Sequence, residues 1–326
     1  MNDGAYRRVI THTSSLTQGE LPVSDTRKIS ISTAWEGLRY ASAEESVNGF
    51  RQIGFQALEL SVFTTVPFLK DIERLVKQGE IAVSSLHNFC PVPRGIAPVD
   101  APWKVPLLST TNKRTRQSAI EMTKTTIDWA SRLNASAVVL HMGKVGENEE
   151  QRGDAIKLMG AGYEDQARGI IARELQTRAL RCKPYWENAF SALQELAPYA
   201  KNNGIKLGIE NRYFHTEIPS LDELQTIFDA FDESVVGYWH DTGHAHTQEF
   251  LQVVEPGENL RRFGSRLIGM HAHNAIGASD HRPIPRGEMD FAEIMPFAPC
   301  DAWIVLEIHR ATDEELIRSR TMLENL

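Results

Sequence analysis

From Lys28 onward, short apolar runs alternate with longer stretches in which apolar residues recur at helical spacing. Short runs rich in Val, Ile and Leu read as buried strands, and the stretches between them as amphipathic helices. Eight strands are predicted: Ile29–Ala34, Ala57–Phe63, Ile81–Asn88, Ala135–His141, Ile205–Glu210, Val235–Asp241, Leu267–His271 and Trp303–Glu307. Helices are predicted over Ser42–Ile53, Pro67–Gln78, Arg116–Leu133, Tyr185–Asn203, Ser220–Ala230, Thr247–Val254, Asp290–Met295 and Asp313–Leu326. Ser42 precedes Glu44 and Glu45, and Ser220 precedes Asp222 and Glu223, the pattern of a capped helix start with acids in its first turn.

Repeated β–α alternation predicts parallel strands, and eight of them predict a closed α/β barrel, the (β/α)8 or TIM-barrel fold. An open doubly wound sheet would carry a Gly-rich phosphate turn after its first strand. Here that position reads Ser32-Thr33-Ala34-Trp35-Glu36-Gly37. Residues 1–27 are polar and without period, and read as a flexible N-terminal arm; residues 28–326 read as a single barrel domain. Two connections are long. One runs from Phe89 to about Arg116, with five prolines; the other runs from Met142 to Tyr185, charged and partly helical. They follow the third and fourth strands, so both are expected over the C-terminal mouth, where barrel sites form.

The strand ends carry the chemistry. His87, His141, Glu210, Asp241, His271 and Glu307 each close a predicted strand, and His244 follows Asp241 in Asp-Thr-Gly-His. Side chains alternate along a strand, so Glu210 shares a face with Gly208, His271 with Gly269, Glu307 with Val305 and His141 with Val139. The opposite faces are more continuously apolar and suit packing on outer helices. The ionisable groups then point inward and converge at the mouth. One strand-end Glu or His is ordinarily a hydrogen-bonding residue. Six together imply a shared ligand, because clustered buried carboxylates are strongly disfavoured unless a cation compensates them. Mixed carboxylate and imidazole donors suit Mn²⁺, Mg²⁺, Co²⁺, Zn²⁺ or Fe²⁺.

Composition narrows this reading. The chain has 326 residues, 41% hydrophobic and 24% charged, enough for a full core without staples. Its net charge of −8 argues against nucleic acid as the main partner. Lys113-Arg114-Thr115-Arg116 is basic, but reads as a helix start with solvated charges. Cys90, Cys182 and Cys300 are too few and too scattered for a disulfide framework. No apolar run reaches membrane length, and the first residues lack a signal-peptide core, so a soluble cytoplasmic protein is expected.

Ile209-Glu210-Asn211-Arg212, Asp241-Thr242-Gly243-His244-Ala245, His271-Ala272-His273-Asn274 and Leu306-Glu307 resemble motifs of the xylose isomerase-like TIM-barrel superfamily. That group includes sugar and sugar-phosphate isomerases and epimerases, and the endonuclease IV type nucleases. His281-Arg282-Pro283 with Arg286-Gly287-Glu288-Met289-Asp290-Phe291 looks like its HxP…GxGxxDF segment. The resemblance implies a divalent metal held by Glu210, Asp241, His271 and Glu307. It also implies that Glu210 and Glu307 move a substrate proton through an enediolate chelated by the metal, and that His244 contacts a substrate oxygen. His87, His141, His281, Arg212 and Trp35 are further candidates for a metal or substrate. The implied partner is a small carbohydrate, with a homo-oligomer left open.

The chain departs from the pattern at Asn274, where Asp is common, at Asp280, displaced by one position, and at Pro285 or Arg286, where a glycine is usual. Two other readings stay open. His87, His141, His244 and His281 match additional ligands of the nucleases, which would make this a zinc phosphodiesterase. A barrel that binds a sugar or metal without turnover is the third.

Overall fold

Eight parallel strands close on themselves in the computed structural model, which describes residues 27–34, 39–146 and 152–326. They are β1 (Lys28–Ser32), β2 (Ala57–Leu60), β3 (Ala82–His87), β4 (Ala137–Leu140), β5 (Lys206–Glu210), β6 (Val236–Asp241), β7 (Leu267–Ala272) and β8 (Trp303–Leu306). Each pairs with its sequence neighbours, and β8 returns to pair with β1. This is the (β/α)8 barrel expected, with every strand where the apolar runs place it. His141 and Glu307 stand one residue beyond their strands rather than inside them.

Trp239 shows how the interior is filled. It is fully buried on β6, and its indole reaches sideways over both neighbouring strands. A Cβ at Gly208 would lie 2.9 Å from the indole, and one at Gly269 would collide with it. The glycines beneath Glu210 and His271 are therefore the space that the indole occupies, and Ala137, Val139 and Val305 close the layer. The β1–β3 side of the interior is polar instead. Ser30 donates to Ser84 Oγ at 2.9 Å, and Ser85 donates to Glu59 at 2.8 Å.

The helix starts follow local chemistry. Ser42 caps Ala43–Gln52 by accepting from the Glu45 amide, and Ser220 forms a capping box with Glu223 at the start of Leu221–Ala230. The basic run at Lys113 does open a helix, Lys113–Arg132, capped by Asn112.

Two expectations need correction. The stretch from Met142 to Tyr185 is not mainly a loop. After a short ribbon comes helix Arg152–Gly160 and then one helix spanning Glu164–Asn202, which continues through Pro184 and Pro198. Proline removes one helical hydrogen bond and favours a break. Packing overrides that preference: Ala189, Leu193 and Leu196 bury against the barrel, while Ala167 and Ile171 bury against Ala155 and Met159. The helix after β6 also begins earlier than expected, at Thr242 rather than Thr247.

Two antiparallel ribbons stand over the mouth. Gly143–Lys144 pairs with Glu217–Ile218, tying the connections after β4 and β5 together. Asn274–Ile276 pairs with Ser279–Arg282 and carries His281 back toward the strand ends. No helix among the described residues is long and apolar enough to cross a membrane.

Candidate metal centre

Asp241 makes two commitments at once. As N-cap of helix Thr242–Phe250, its Oδ1 accepts the His244 amide at 2.7 Å, while Oδ2 lies 3.7 Å from His271 Nδ1. Around it the Asp-Thr-Gly-His and Glu-Asn-Arg motifs interlock. Asn211 Nδ2 donates to the Asp241 carbonyl at 2.9 Å, and its Oδ1 accepts the Asp241 amide at 2.8 Å, fastening the end of β5 to that of β6. Thr242 Oγ1 donates to the His273 carbonyl at 2.6 Å, fastening β6 to β7. The strand ends are thus pinned in register, and the inward side chains inherit that rigidity.

One donor atom each from Glu210, Asp241, His271 and Glu307 lies within 4.8 Å of all the others. His271 Nδ1 is the hub, 2.8 Å from Glu210 Oε1 and 3.3 Å from Glu307 Oε2. All four residues are buried. Burial works against ionisation of the carboxylates, yet the surrounding imidazoles hold Glu210 and Asp241 well below the usual carboxylate range and Glu307 below it as well. Burial likewise opposes charge on His271, and the carboxylates overcome it and raise its pKa well above the ordinary value. A protonated imidazole therefore supplies the positive charge among three ionised carboxylates. That arrangement fits a divalent cation, which would replace the Nδ1 proton at the same point.

Two further groups adjoin the first. His87 Nε2 and His141 Nε2 stand 3.1 Å apart, and His141 Nε2 lies 2.5 Å from Glu210 Oε2. These three residues form a second set of close donors, and His244, Asp280 and His281 form a third. Asp280 therefore reaches the cluster despite its one-position displacement, beside a His281 backbone in the left-handed region at φ 54°. Loss of solvent and the charge of Arg212 lower the His141 pKa to about 4. Burial opposes charge on His281, but Asp280 and Glu307 raise its pKa to about 10.

The other candidates fall into place around these. Arg212 bridges Glu210 Oε2 at 3.0 Å and Glu217 Oε1 at 3.2 Å, so it pairs with a loop carboxylate as well as the strand-end one. His244 Nδ1 lies 3.1 Å from the Asn211 carbonyl. His273 turns its Nε2 to Asp241, 3.0 Å from Oδ1, and stacks on His281, with ring centroids 4.1 Å apart. Asp241, His273, His281 and Glu307 also make a close donor group, so both histidines of His-Ala-His stand at the cluster. Asn274 faces away. Its Nδ2 donates to the Ile284 carbonyl at 2.7 Å and its Oδ1 accepts the Ala275 and Met289 amides, a two-way clamp that Asp could not make. Trp35 lies outside the described residues.

Glu59, from within β2, also reaches the cluster. It is fully buried, with both carboxylate oxygens 3.1 Å from His271 Nε2. The available signal was a lone acid in the apolar run Ala57–Phe63, inside a strand rather than at its end.

The model of the family described as xylose isomerase-like TIM barrel matches residues 50–326. The chain belongs to that family. Among curated relatives, the uncharacterized protein MJ1311 of Methanocaldococcus jannaschii is 26% identical over 200 residues, 60% of this chain and 58% of that protein. The match thus spans little more than half of that relative's length. The structure of a D-tagatose 3-epimerase-like protein superposes with a TM-score of 0.66 at 21% identity, covering 91% of this chain and 96% of the other. The IolI protein with a binding zinc atom superposes with a TM-score of 0.60 at 13% identity, covering 91% and 96%. At these identities the two solved structures establish the shared barrel alone.

Proposed function

We propose that this protein is a divalent-metal-dependent isomerase or epimerase of a small carbohydrate. The observation that carries the reading is the convergence of Glu210, Asp241, His271 and Glu307 donor atoms within 4.8 Å of one another in a buried site. An epimerase-like neighbour and a zinc-bearing one on the same barrel support it.

In this reading the four residues hold the metal. When bound, it acidifies a C–H beside a substrate carbonyl and stabilises the negative charge that deprotonation creates. The chain's own groups then move the proton. Glu210 and Glu307 come from β5 and from the end of β8, three strands apart around the barrel, so one carboxylate can remove a proton and the other can return it. The surrounding imidazoles, His141 first, hold Glu210 ionised, the state a base requires, and Arg212 pairs with it at 3.0 Å. His281 Nε2, 3.7 Å from Glu307 Oε2, stands beside the second carboxylate. His244, beyond the four, would bind a substrate oxygen.

A specific observation favours a second reading. The His87–His141–Glu210 and His244–Asp280–His281 groups could hold two more ions, which suits a zinc phosphodiesterase. One experiment separates them. Purified protein loaded with Mn²⁺, Co²⁺ or Zn²⁺ is tested for ketose C–H exchange in deuterium oxide and for cleavage of an abasic-site duplex, with bound metal counted. One ion per chain and exchange are expected, with metal depleted in Glu210→Gln and His271→Ala. Three ions, duplex cleavage and no exchange would select the hydrolase; unchanged metal in both variants would remove the metal centre.

A further inference from the structure

His271 has two ring nitrogens, and the structure gives them opposite surroundings. Nδ1 faces Glu210, Glu307 and Asp241 at 2.8, 3.3 and 3.7 Å. Nε2 faces the other way, into the barrel, where both oxygens of Glu59 lie at 3.1 Å. The two oxygens are equally far from Nε2, the geometry of an Nε2–H aimed between two acceptors, so Nε2 is the nitrogen that carries the proton. With Nε2 protonated, the lone pair of a neutral His271 is on Nδ1, toward the candidate ligands.

Glu59 is itself held. Its Cα partner in β3 is Ser85, whose hydroxyl donates to Oε2 at 2.8 Å. Ser85 Oγ lies 3.3 Å from Ser84 Oγ, and Ser84 donates to the Leu58 carbonyl at 3.1 Å. This serine row is the polar side of the barrel interior, opposite the Trp239 layer. Glu59 reaches His271 from three strands away around the barrel, which only an inward side chain can do. A fully buried carboxyl group is expensive where an apolar side chain of similar size would fit. A carboxylate behind an imidazole is, however, what orients a metal-binding histidine and makes it a stronger donor.

We propose that Glu59 is a positioning residue: it fixes the tautomer and ring orientation of His271 so that Nδ1 meets a divalent cation, and Ser85 fixes Glu59. The inference rests on the metal-centre reading above, and its test separates the two. The protein is loaded with Zn²⁺. Its dissociation constant is measured against a competing chelator for wild type, Glu59→Gln, Glu59→Ala, Ser85→Ala and His271→Ala. Ring ¹⁵N NMR of histidine-labelled, zinc-loaded wild type reports which His271 nitrogen carries the proton.

The expected result is a protonated Nε2 and a metal-bound Nδ1. Glu59→Ala weakens zinc binding by about 10–100-fold, with smaller losses in Glu59→Gln, whose amide oxygen still accepts the Nε2 proton, and in Ser85→Ala. The NMR measurement needs no variant, so it decides even where Glu59→Ala fails to fold. Zinc bound through Nε2, or zinc affinity lost in His271→Ala but intact in the Glu59 variants, would overturn the Glu59 proposal alone. Zinc affinity unchanged in His271→Ala would overturn the metal centre, and this proposal with it.

Discussion

The mouth of this barrel has two unequal sides. Glu210, Asp241, His271 and Glu307, from the β5–β8 side, are fully or nearly buried and carry three carboxylates around one imidazole. His87 and His141, from β3 and just beyond β4, face each other and share one carboxylate, Glu210, with the first group. The His141 side chain is 38% exposed, against 0% for that of His271. The first group sets three carboxylates around one imidazole, the balance of charge that the proposed divalent cation would complete. The second has a single charge, already claimed by Arg212 and His271. In the proposed reading, charge therefore favours an ion at the first group over one at the second.

Three experiments press on that contrast. The largest effect is expected from Glu307→Gln, which keeps the shape and removes the base: ketose C–H exchange falls by ~10²–10⁴-fold. His141→Asn, on the weaker side, should lower exchange far less. Equal losses would erase the distinction between the sides. Next, His87→Ala and His141→Ala should leave one tightly bound ion per chain by elemental analysis. Loss of that ion in either variant would show that the second side is part of the primary site.

The smallest effect is in the pH dependence of stability of metal-free protein, followed as Tm. Burial, Arg212 and the neighbouring His87 depress the His141 pKa to about 4 in the folded state, from the ordinary 6.5. Unfolding then takes up protons, so stability falls as pH drops from about 6.5 through 4. His240, also lowered to about 4, adds to the same limb. His281 is raised to about 10, so its contribution is complete below about pH 6.5 and lost as pH rises through 10. Tm should therefore peak near pH 6.5, with the acid limb shallower in His141→Asn and the alkaline limb shallower in His281→Asn. A profile that neither variant alters would contradict the charge assignments on both sides.

Much of this was legible in the linear chain. Strands have a period of two and end where turn residues begin. Glu210, Asp241, His271 and Glu307 could therefore be placed on inward faces at the C-terminal ends, and Gly208 and Gly269 beneath two of them. That information is local, and local stereochemistry determines it. The sequence did not say why those glycines are there: Trp239 occupies the space, from a strand between them. It did not say that a helix would run through Pro184, because burial of Ala189 and Leu193 outweighs a local break only once the barrel exists to pack against. Nor could it pair Glu59 with His271. They stand 212 residues apart, and no spacing rule joins them until the sheet closes. The chain by itself determined which groups point inward; closure of the barrel decided which of them meet, because distance across a barrel is set by strand order and register rather than by separation along the chain.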